Sequence, residues 1–408
     1  MQDHVSRLLG LDGFVVSGVE EARDQLDLQV ELIAGALVTC PYCQGVEVRI
    51  KERPRVRVRD LSLAGRVTHL VWRKRRYGCQ ECGRSFTERH EQLPSRQRVS
   101  GRFRRHLIER VIGGAAHAEV ARDERTTRYQ VARAFTERAG QLPLETERLS
   151  RRLSLDEAHH RRGRELATVV SDLDRRCVIE VLDGCTRRVI ERWLSALPAD
   201  VRAAIEVVSI DPSEAYRRAI QAALPDARIV ADRFHLVRGA NTALDAIRRE
   251  RQREARAKRP RGTRRSGQHV SWRPELYRAR HRLLKTRERL SDRERHRLSQ
   301  LFERDPIIAE ARGLKEAFRN MYLAPDRQQA EQRLDRFLDA VDQAALPAFD
   351  AFAKGIRQWR AELLAYFDEP TTNGYAEGVI SKVKVIKRRA YGLPTFAGFR
   401  KRVVIACG

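Results

Sequence analysis

The alternation of apolar and polar positions predicts β-structure in the first ninety residues. The segment VRVRDLSLAGRVTHLVWRKRRYGC, residues 56–79, alternates around Gly65. Because successive side chains of a strand point to opposite faces of a sheet, this pattern predicts a β-hairpin.

The next fifty residues follow a helical period. Phe103, Leu107 and Val111 form one apolar stripe, and a glycine pair interrupts it. A short apolar turn follows, and then a third helix that begins behind Thr126 or Thr127. This outline is typical of a helix-turn-helix, although small three-helix units also serve as inert connectors. The third helix would turn four side chains toward a DNA groove: Arg128, Tyr129, Gln130 and Arg133.

Residues 150–245 are predicted to form a sheet with interleaved helices. Three strands come first, in LSLDEAHH, ELATVVSDL and RCVIEVLDG. A helix over roughly 187–197, a strand in AIEVVSID, a second helix and a strand in ARIVAD follow. This order of strands and helices is that of an RNase H-like fold.

A basic and helical region separates this predicted sheet from the end of the chain. Residues 248–265, RRERQREARAKRPRGTRR, contain ten basic and two acidic residues and no apolar stripe, so they cannot bury a face. Helical periodicity then returns as far as about residue 367. We interpret the region as an insertion, and an independent helical domain is the alternative.

The overall charge points to a polyanionic partner. The 408 residues include 81 Lys and Arg against 55 Asp and Glu, a net charge of +26. Only ten of the cations are Lys. Codon bias in a GC-rich genome would explain the preference for Arg, but not the excess over acids. Nucleic acid is therefore the expected partner.

Four of the seven cysteines occur in two short pairs. Cys40 and Cys43 lie in CPYC, and Cys79 and Cys82 lie in CQEC. Two such turns can supply the four thiolates that surround zinc in a structural site. The sequence therefore predicts a zinc ribbon with one structural Zn²⁺. The remaining cysteines stand alone: Cys177, Cys185 and Cys407.

Two aspartates mark the ends of predicted strands that would be neighbours in an RNase H-like sheet. Asp156 ends the first strand and Asp211 follows the fourth. Close carboxylates repel unless cations lie between them, and hard oxygen ligands suit Mg²⁺. A lone aspartate here would more often be a helix cap or turn residue. Asp232, the main rival of Asp211, is expected one strand further on, with His235, as a near-site residue.

Four blocks resemble those of a known family. LSLDEAHHRRG, VVSIDPSEAYRRAI, IVADRFHLV and TTNGYAEGVISKVKVIKRRAYG are similar, in the same order, to bacterial insertion-sequence transposases of the ISL-three type. The resemblance implies a zinc ribbon, a helix-turn-helix and a DDE catalytic domain, with the triad Asp156, Asp211 and Glu377. Pro212 departs from the family pattern, which has a larger apolar residue there.

The resemblance also implies the activity and the partners. A DDE transposase binds the terminal inverted repeats of its element in double-stranded DNA, and two Mg²⁺ support strand cleavage by water and strand transfer by the freed 3′-OH. Pairing two DNA ends implies a homodimer or a higher oligomer. No run of about 18 apolar residues and no signal peptide are found, so a bacterial cytoplasmic, nucleoid-associated protein without a membrane partner is expected.

The fold class expected for the whole chain is multidomain α+β and α/β, with a helical insertion interrupting the RNase H-like domain. The expected domains are a zinc ribbon region over 1–92, a helix-turn-helix over 93–148, a first catalytic part over 149–246, the basic and helical insertion over 247–368, and a second catalytic part over 369–408.

Glu377 is the last acid of the chain. It falls in the first turn of a predicted helix that Thr371, Thr372 or Asn373 can cap. Lys384 and Arg388 follow seven and eleven positions later on the same side, where they can hold DNA phosphates. A first-turn acid that complements the helix dipole is the alternative.

Two other functions compete with transposition. A domesticated or inactive transposase would act as a DNA-binding regulator, but it would have no use for three acids in a basic DNA channel. A junction resolvase would be shorter and would need no large helical insertion.

Overall fold

The computed structural model describes residues 9–33, 38–93, 98–141, 149–160, 165–257, 275–371, 374–390, 393 and 395–408, with side chains omitted at 139–141 and 255–257. Two compact units are present: Met1–Pro143 with Lys384–Ala406, and Leu144–Val383 with Cys407–Gly408. The basic segment from residue 258 onward, and the candidate caps Thr372 and Asn373, lie outside the described residues.

The first unit contains two small sheets. Their strands are β1 (Phe14–Ala22), β2 (Gln25–Leu32), β3 (Val48–Glu52), β4 (Arg55–Arg59), β5 (Val67–Arg73), β6 (Arg76–Cys79) and β7 (Ser85–Thr87). One sheet has the strand order β1-β2-β5-β4, in which β2 and β5 are parallel, and the other has the order β3-β6-β7. The predicted hairpin forms between β4 and β5, where Val56 lies opposite Trp72. The hairpin of β1 and β2 was not among the expected elements.

Three helices complete the first unit together with the last helix of the chain. They are α1 (Gly101–Ile112), α2 (His117–Asp123) and α3 (Arg128–Gln141). The predicted stripe is buried in one cluster: Phe103, Leu107, Val111, Val120, Ala121, Val131 and Phe135. Ile405, on the last helix Phe396–Cys407, packs against this cluster.

The second unit is built on a five-stranded sheet. Its strands are β8 (Arg152–His159), β9 (Leu166–Asp172), β10 (Cys177–Leu182), β11 (Val207–Ile210) and β12 (Arg228–Ala231). They lie in the order β10-β9-β8-β11-β12. The predicted three-strand meander is antiparallel, whereas β11 runs parallel to both β8 and β12. Helices α4 (Arg187–Ser195), α5 (Ala199–Ala204) and α6 (Glu214–Ala223) connect them, and α5 is a short helix that the apolar period does not predict.

The two faces of this sheet differ in chemistry. Leu153 and Leu155 of β8, and Val208 and Ile210 of β11, belong to one apolar cluster with α4 and α6. Because side chains alternate along a strand, Asp156 belongs to the opposite face. The acid is thereby kept out of the main apolar core.

A helical block follows β12. It comprises α7 (Arg233–Ala257), α8 (Glu275–Leu284), α9 (Asp292–Arg304), α10 (Pro306–Met321), α11 (Arg327–Ala344), α12 (Pro347–Gln358) and α13 (Arg360–Asp368). The ring of fully buried Phe318 lies 5.2 Å from that of Phe337 and 5.0 Å from that of Phe352, between centroids. The block therefore has an apolar core of its own.

The final segment forms α14 (Gly374–Arg389) and α15 (Phe396–Cys407). The predicted stripe of α14 is confirmed, since each member is at most 9 % exposed: Ala376, Val379, Ile380, Val383 and Ile386. Burial of this stripe fixes the orientation of the helix that carries Glu377.

Truncating Phe318 tests the core of the helical block. Phe318→Ala is expected to lower the free energy of unfolding by about 3–5 kcal/mol, because a large buried ring is replaced by a cavity. Leu323→Ala, at a side chain that is 56 % exposed, is the matched control and should change it by less than about 0.5 kcal/mol. Equal effects of the two changes in urea denaturation would contradict this assignment of the core.

Candidate active site and metal centre

The four paired cysteines converge in the first unit. The Sγ atoms of Cys40 and Cys82 are 3.7 Å apart, and those of Cys43 and Cys79 are 3.6 Å apart. Sulfur atoms at the corners of a zinc tetrahedron, with bonds of about 2.3 Å, are about 3.8 Å apart. The donor set and its spacing therefore fit one structural Zn²⁺.

Backbone geometry shapes both cysteine turns. In the first, the Gln44 N–H donates to the Cys40 carbonyl at 2.9 Å, and Gln44 has a positive φ of 63°. In the second, the Cys79 N–H donates to the Arg84 carbonyl at 2.9 Å, across Gly83 with a φ of 68°. Each turn thus presents its two thiols on one side.

In the second unit, two aspartates and a histidine form a cluster at one edge of the sheet. Ile210 and Ala231 are paired at the ends of the parallel strands β11 and β12. Asp211 and Asp232, the next residue on each strand, therefore emerge side by side. His235 lies one helical turn further on in α7. The ligand atoms of these three residues are all within 4.8 Å of one another.

His235 supplies positive charge between the two carboxylates. Its Nδ1 atom lies 2.7 Å from an oxygen of Asp211 and 2.7 Å from an oxygen of Asp232. These hydrogen bonds, first to Asp211 and then to Asp232, raise the pKa of His235 to about 10. The imidazolium occupies a position between the acids that suits a cation.

Asp156 lies inside β8, three residues before the strand ends at His159, and not at the end of the strand as expected, because pairing with β9 continues past it. It follows Leu155, which is paired with Ile210. It is 7 % exposed, and one carboxylate oxygen accepts the Glu157 N–H at 2.7 Å. Burial first, and the charge of Asp211 second, raise the pKa of Asp156 to about 7. The carboxylate is thus short of compensating positive charge.

Glu377 approaches the same cluster from the first turn of α14. Its side chain is half-buried. Burial raises the pKa of Glu377 most, the Asp232 charge raises it further, and His235 lowers it. Asp156 and Glu377 therefore interact electrostatically with the cluster of Asp211, Asp232 and His235. Neither residue belongs to the group whose ligand atoms all lie within 4.8 Å of one another.

Comparison with known proteins assigns this chain to a family. Residues 153–403 match the model of the ISL3-type DDE family, which is described as "Transposase". Residues 36–82 match the "zinc-finger of transposase IS204/IS1001/IS1096/IS1165". The chain belongs to the ISL3 transposase family.

Individual transposases are similar over long stretches. The chain is 27 % identical over 394 residues to the "Transposase for insertion sequence element IS1001" of Bordetella parapertussis, covering 94 % of this chain and 92 % of that one. It is 30 % identical over 252 residues to the "Transposase for insertion sequence element IS1557" of Mycobacterium tuberculosis (strain CDC 1551 / Oshkosh), covering 59 % and 56 %. The resemblance expected from the four sequence blocks is confirmed.

Asp232 follows β12, one strand beyond β11, and the structure brings it beside Asp211. The strands β11 and β12 have four residues each and are in register, so both end at the same edge. His235 then reaches both acids. The signal in the sequence was the D-x-x-H spacing in ADRFH, which brings the imidazole back one turn above the strand end.

The third helix of the transposase presents the predicted DNA-facing residues. Thr127 is its cap, since the Thr127 hydroxyl accepts the Gln130 N–H at 3.1 Å. Tyr129 is 72 % exposed and Arg128 is also exposed. Arg133 forms an ion pair of 2.7 Å with Glu137.

The basic residues of α14 also lie at the surface. Lys384 and Arg388 are exposed, on the side opposite the buried stripe. Among the helices in the described ranges, none is long and apolar enough to cross a membrane.

Removing one cysteine ligand tests the metal centre. The purified transposase is expected to contain one zinc per chain by plasma mass spectrometry. Cys43→Ser should lose that zinc and lower the midpoint of thermal unfolding, because ligand binding contributes to folding of the ribbon. Cys185→Ser, in the other unit, is the matched control and should keep both the zinc content and the unfolding midpoint of the wild type. Full zinc content in Cys43→Ser would contradict the assignment.

Proposed function

We propose that this transposase binds the terminal inverted repeats of its insertion sequence and catalyses metal-dependent strand cleavage and strand transfer with Asp156, Asp211 and Glu377. The observation that carries the proposal is the cluster at the sheet edge. Asp211 and Asp232 share His235 as a cationic partner there. The buried carboxyl group of Asp156 lies beside them, and its pKa is raised by burial first and by the charge of Asp211 second. Acids crowded in this way need cations in order to remain ionised together.

The architecture supports an RNase H-like catalytic domain. A three-strand meander is followed by two parallel strands, and the candidate acids lie on the first and after the fourth. We assign the catalytic domain to residues 149–246 and 369–408, with the insertion at 247–368. The zinc ribbon at 1–92 and a helix-turn-helix at 93–148 would recognise DNA.

The residues fit two Mg²⁺ ions. Carboxylate oxygens are the ligands that Mg²⁺ prefers, and Asp156, Asp211 and Glu377 would supply them. Burial raises the pKa of both Asp156 and Glu377, so an added cation would favour their ionised forms. When bound, the ions would activate the attacking oxygen and stabilise the leaving oxygen. Before a metal ion binds, His235 would act as a positioning residue that holds Asp211 and Asp232 in place through Nδ1.

The proposed reaction consists of two phosphoryl transfers. In the first, a water oxygen attacks the phosphodiester at the end of the element, and the P–O3′ bond breaks to leave a 3′-OH. In the second, that 3′ oxygen attacks a phosphodiester of target DNA and releases a new 3′-OH. No oxidant or energy source is required, since each bond broken is replaced by one of the same kind. Joining two ends would require at least a homodimer.

Neutralising Asp211 tests the catalytic assignment. Asp211→Asn is expected to reduce Mg²⁺-dependent cleavage of DNA carrying the terminal repeat by on the order of a thousandfold, because a metal ligand is lost. Asp226→Asn, at an exposed turn position, is the matched control and should cleave normally.

A second readout separates metal binding from catalysis. Titration of Mn²⁺, followed by electron paramagnetic resonance, should show weaker binding by Asp211→Asn than by the wild type. Equal cleavage by the two proteins would refute the triad. Specific DNA binding without any cleavage by the wild type would favour a DNA-binding regulator.

Changes in the third helix test DNA recognition. Tyr129→Ala and Arg128→Ala are each expected to weaken binding to the terminal repeat by about tenfold, because contacts to bases and phosphates are lost. Arg188→Ala, which removes an exposed arginine of α4, is the control and should change the affinity for the terminal repeat by less than about threefold. Unchanged affinity in both α3 variants, measured by fluorescence anisotropy, would count against a helix-turn-helix.

A further inference from the structure

A polar cavity lies in the unit that contains the acidic cluster. Its volume is about 450 Å³, and it is bounded by the start of β8, the turn between β9 and β10, and the first residues of α14. The residues that matter are Arg152, Arg176, Thr371, Gly374 and Tyr375. None of these residues belongs to the cluster of Asp211, Asp232 and His235.

Thr371 provides the first indication of a ligand. Its side chain lines the cavity and is only 5 % exposed. Within the described part of the chain, its hydroxyl oxygen has no hydrogen-bond partner. A buried hydroxyl without a partner is costly unless something else satisfies it. A ligand with oxygen atoms would do so.

Arg176 provides a cation that the protein does not use. Asp174 is paired with Arg152, and Glu369 is paired with Arg151 at 3.0 Å. Arg176 is exposed and makes no ion pair with any residue that the structure describes. Asp174 and Glu369 therefore already have cationic partners, and the guanidinium of Arg176 remains for a ligand.

The backbone adds a third favourable element. The sixteen-residue helix α14 begins at Gly374, and a Cβ atom at this glycine would meet open space. Helix amino termini carry partial positive charge and N–H groups that suit anions. A guanidinium, a hydroxyl and a helix start thus surround one cavity, and this combination is typical of a site for a tetrahedral oxyanion.

We propose that this cavity binds a phosphate group, namely a backbone phosphodiester of the DNA strand that enters the active site. The proposal rests on the proposed function, since it takes DNA as the substrate. Arg152 and Asp156 are four residues apart on β8, or about 13 Å at roughly 3.3 Å per residue. The bound phosphate is therefore within a few nucleotides of the scissile one.

One variant with a matched control tests the role of Arg176. Arg176→Gln removes the unused cation, and Arg175→Gln removes the neighbouring exposed arginine of the same turn. Binding to terminal-repeat DNA is measured without divalent metal, so that cleavage does not contribute. Arg176→Gln should weaken binding by about fivefold and lower the slope of log Kd against log salt by about 0.9, whereas Arg175→Gln should do neither.

Thr371→Val separates ligand binding from stability. Since the hydroxyl is unpaired in the free protein, its removal should leave the thermal midpoint unchanged or higher. The same change should weaken DNA binding by about twofold or more, because a phosphate oxygen loses its partner. A lower midpoint with unchanged affinity would assign Thr371 to the fold alone and would overturn the proposal.

Single methylphosphonate substitutions locate the bound phosphate. A neutral linkage within a few nucleotides of the cleavage site should weaken wild-type binding, and Arg176→Gln should lose nothing further at that linkage. If the losses of affinity caused by Arg176→Gln and by a neutral linkage add fully at every linkage, the inference is overturned. A second experiment measures the binding of inorganic phosphate by phosphorus NMR. If phosphate binding is saturable and depends on Arg176, while Arg176→Gln leaves the affinity for DNA unchanged, the cavity binds free phosphate instead. If the wild type binds no DNA at all, the proposed function fails first.

Discussion

Electrostatic repulsion between carboxylates at one edge of a sheet is the constraint on which this structure depends. Asp211 and Asp232 emerge together because β11 and β12 are parallel, in register and equally short. His235 bridges them, and the buried Asp156 lies beside them with a pKa raised to about 7. An arrangement of this kind is costly for a stable fold, and it becomes useful when a cation and a phosphate enter the site.

The rest of the second unit serves to hold these acids in place. The apolar face of the sheet packs on α4 and α6, which leaves the opposite face for Asp156. The helical block builds its own core around Phe318, and α14 follows it with a buried stripe that orients Glu377. A long insertion is therefore compatible with a compact site, because each part buries its own apolar surface.

Much of this was predictable from the sequence, for identifiable reasons. Two C-x-x-C pairs allow few alternatives to a four-thiolate site, and the apolar stripe of α14 follows directly from helical periodicity. Asp232 was expected near the site, but the contact that Asp211 and Asp232 share with His235 was not predictable, since it depends on strand register and on strands of four residues. The cavity beside Thr371 has no sequence signal, because its members are 219 positions apart in the chain, from Arg152 to Thr371, and follow no period.

Anomalous diffraction from crystals of the transposase grown with Mn²⁺ tests the central claim most directly. The account predicts a manganese peak within bonding distance of carboxylate oxygens of Asp156 and Asp211, and displacement of the His235 Nδ1 atom from Asp211. Occupied zinc at the four cysteines, with no manganese at these carboxylates, would contradict it.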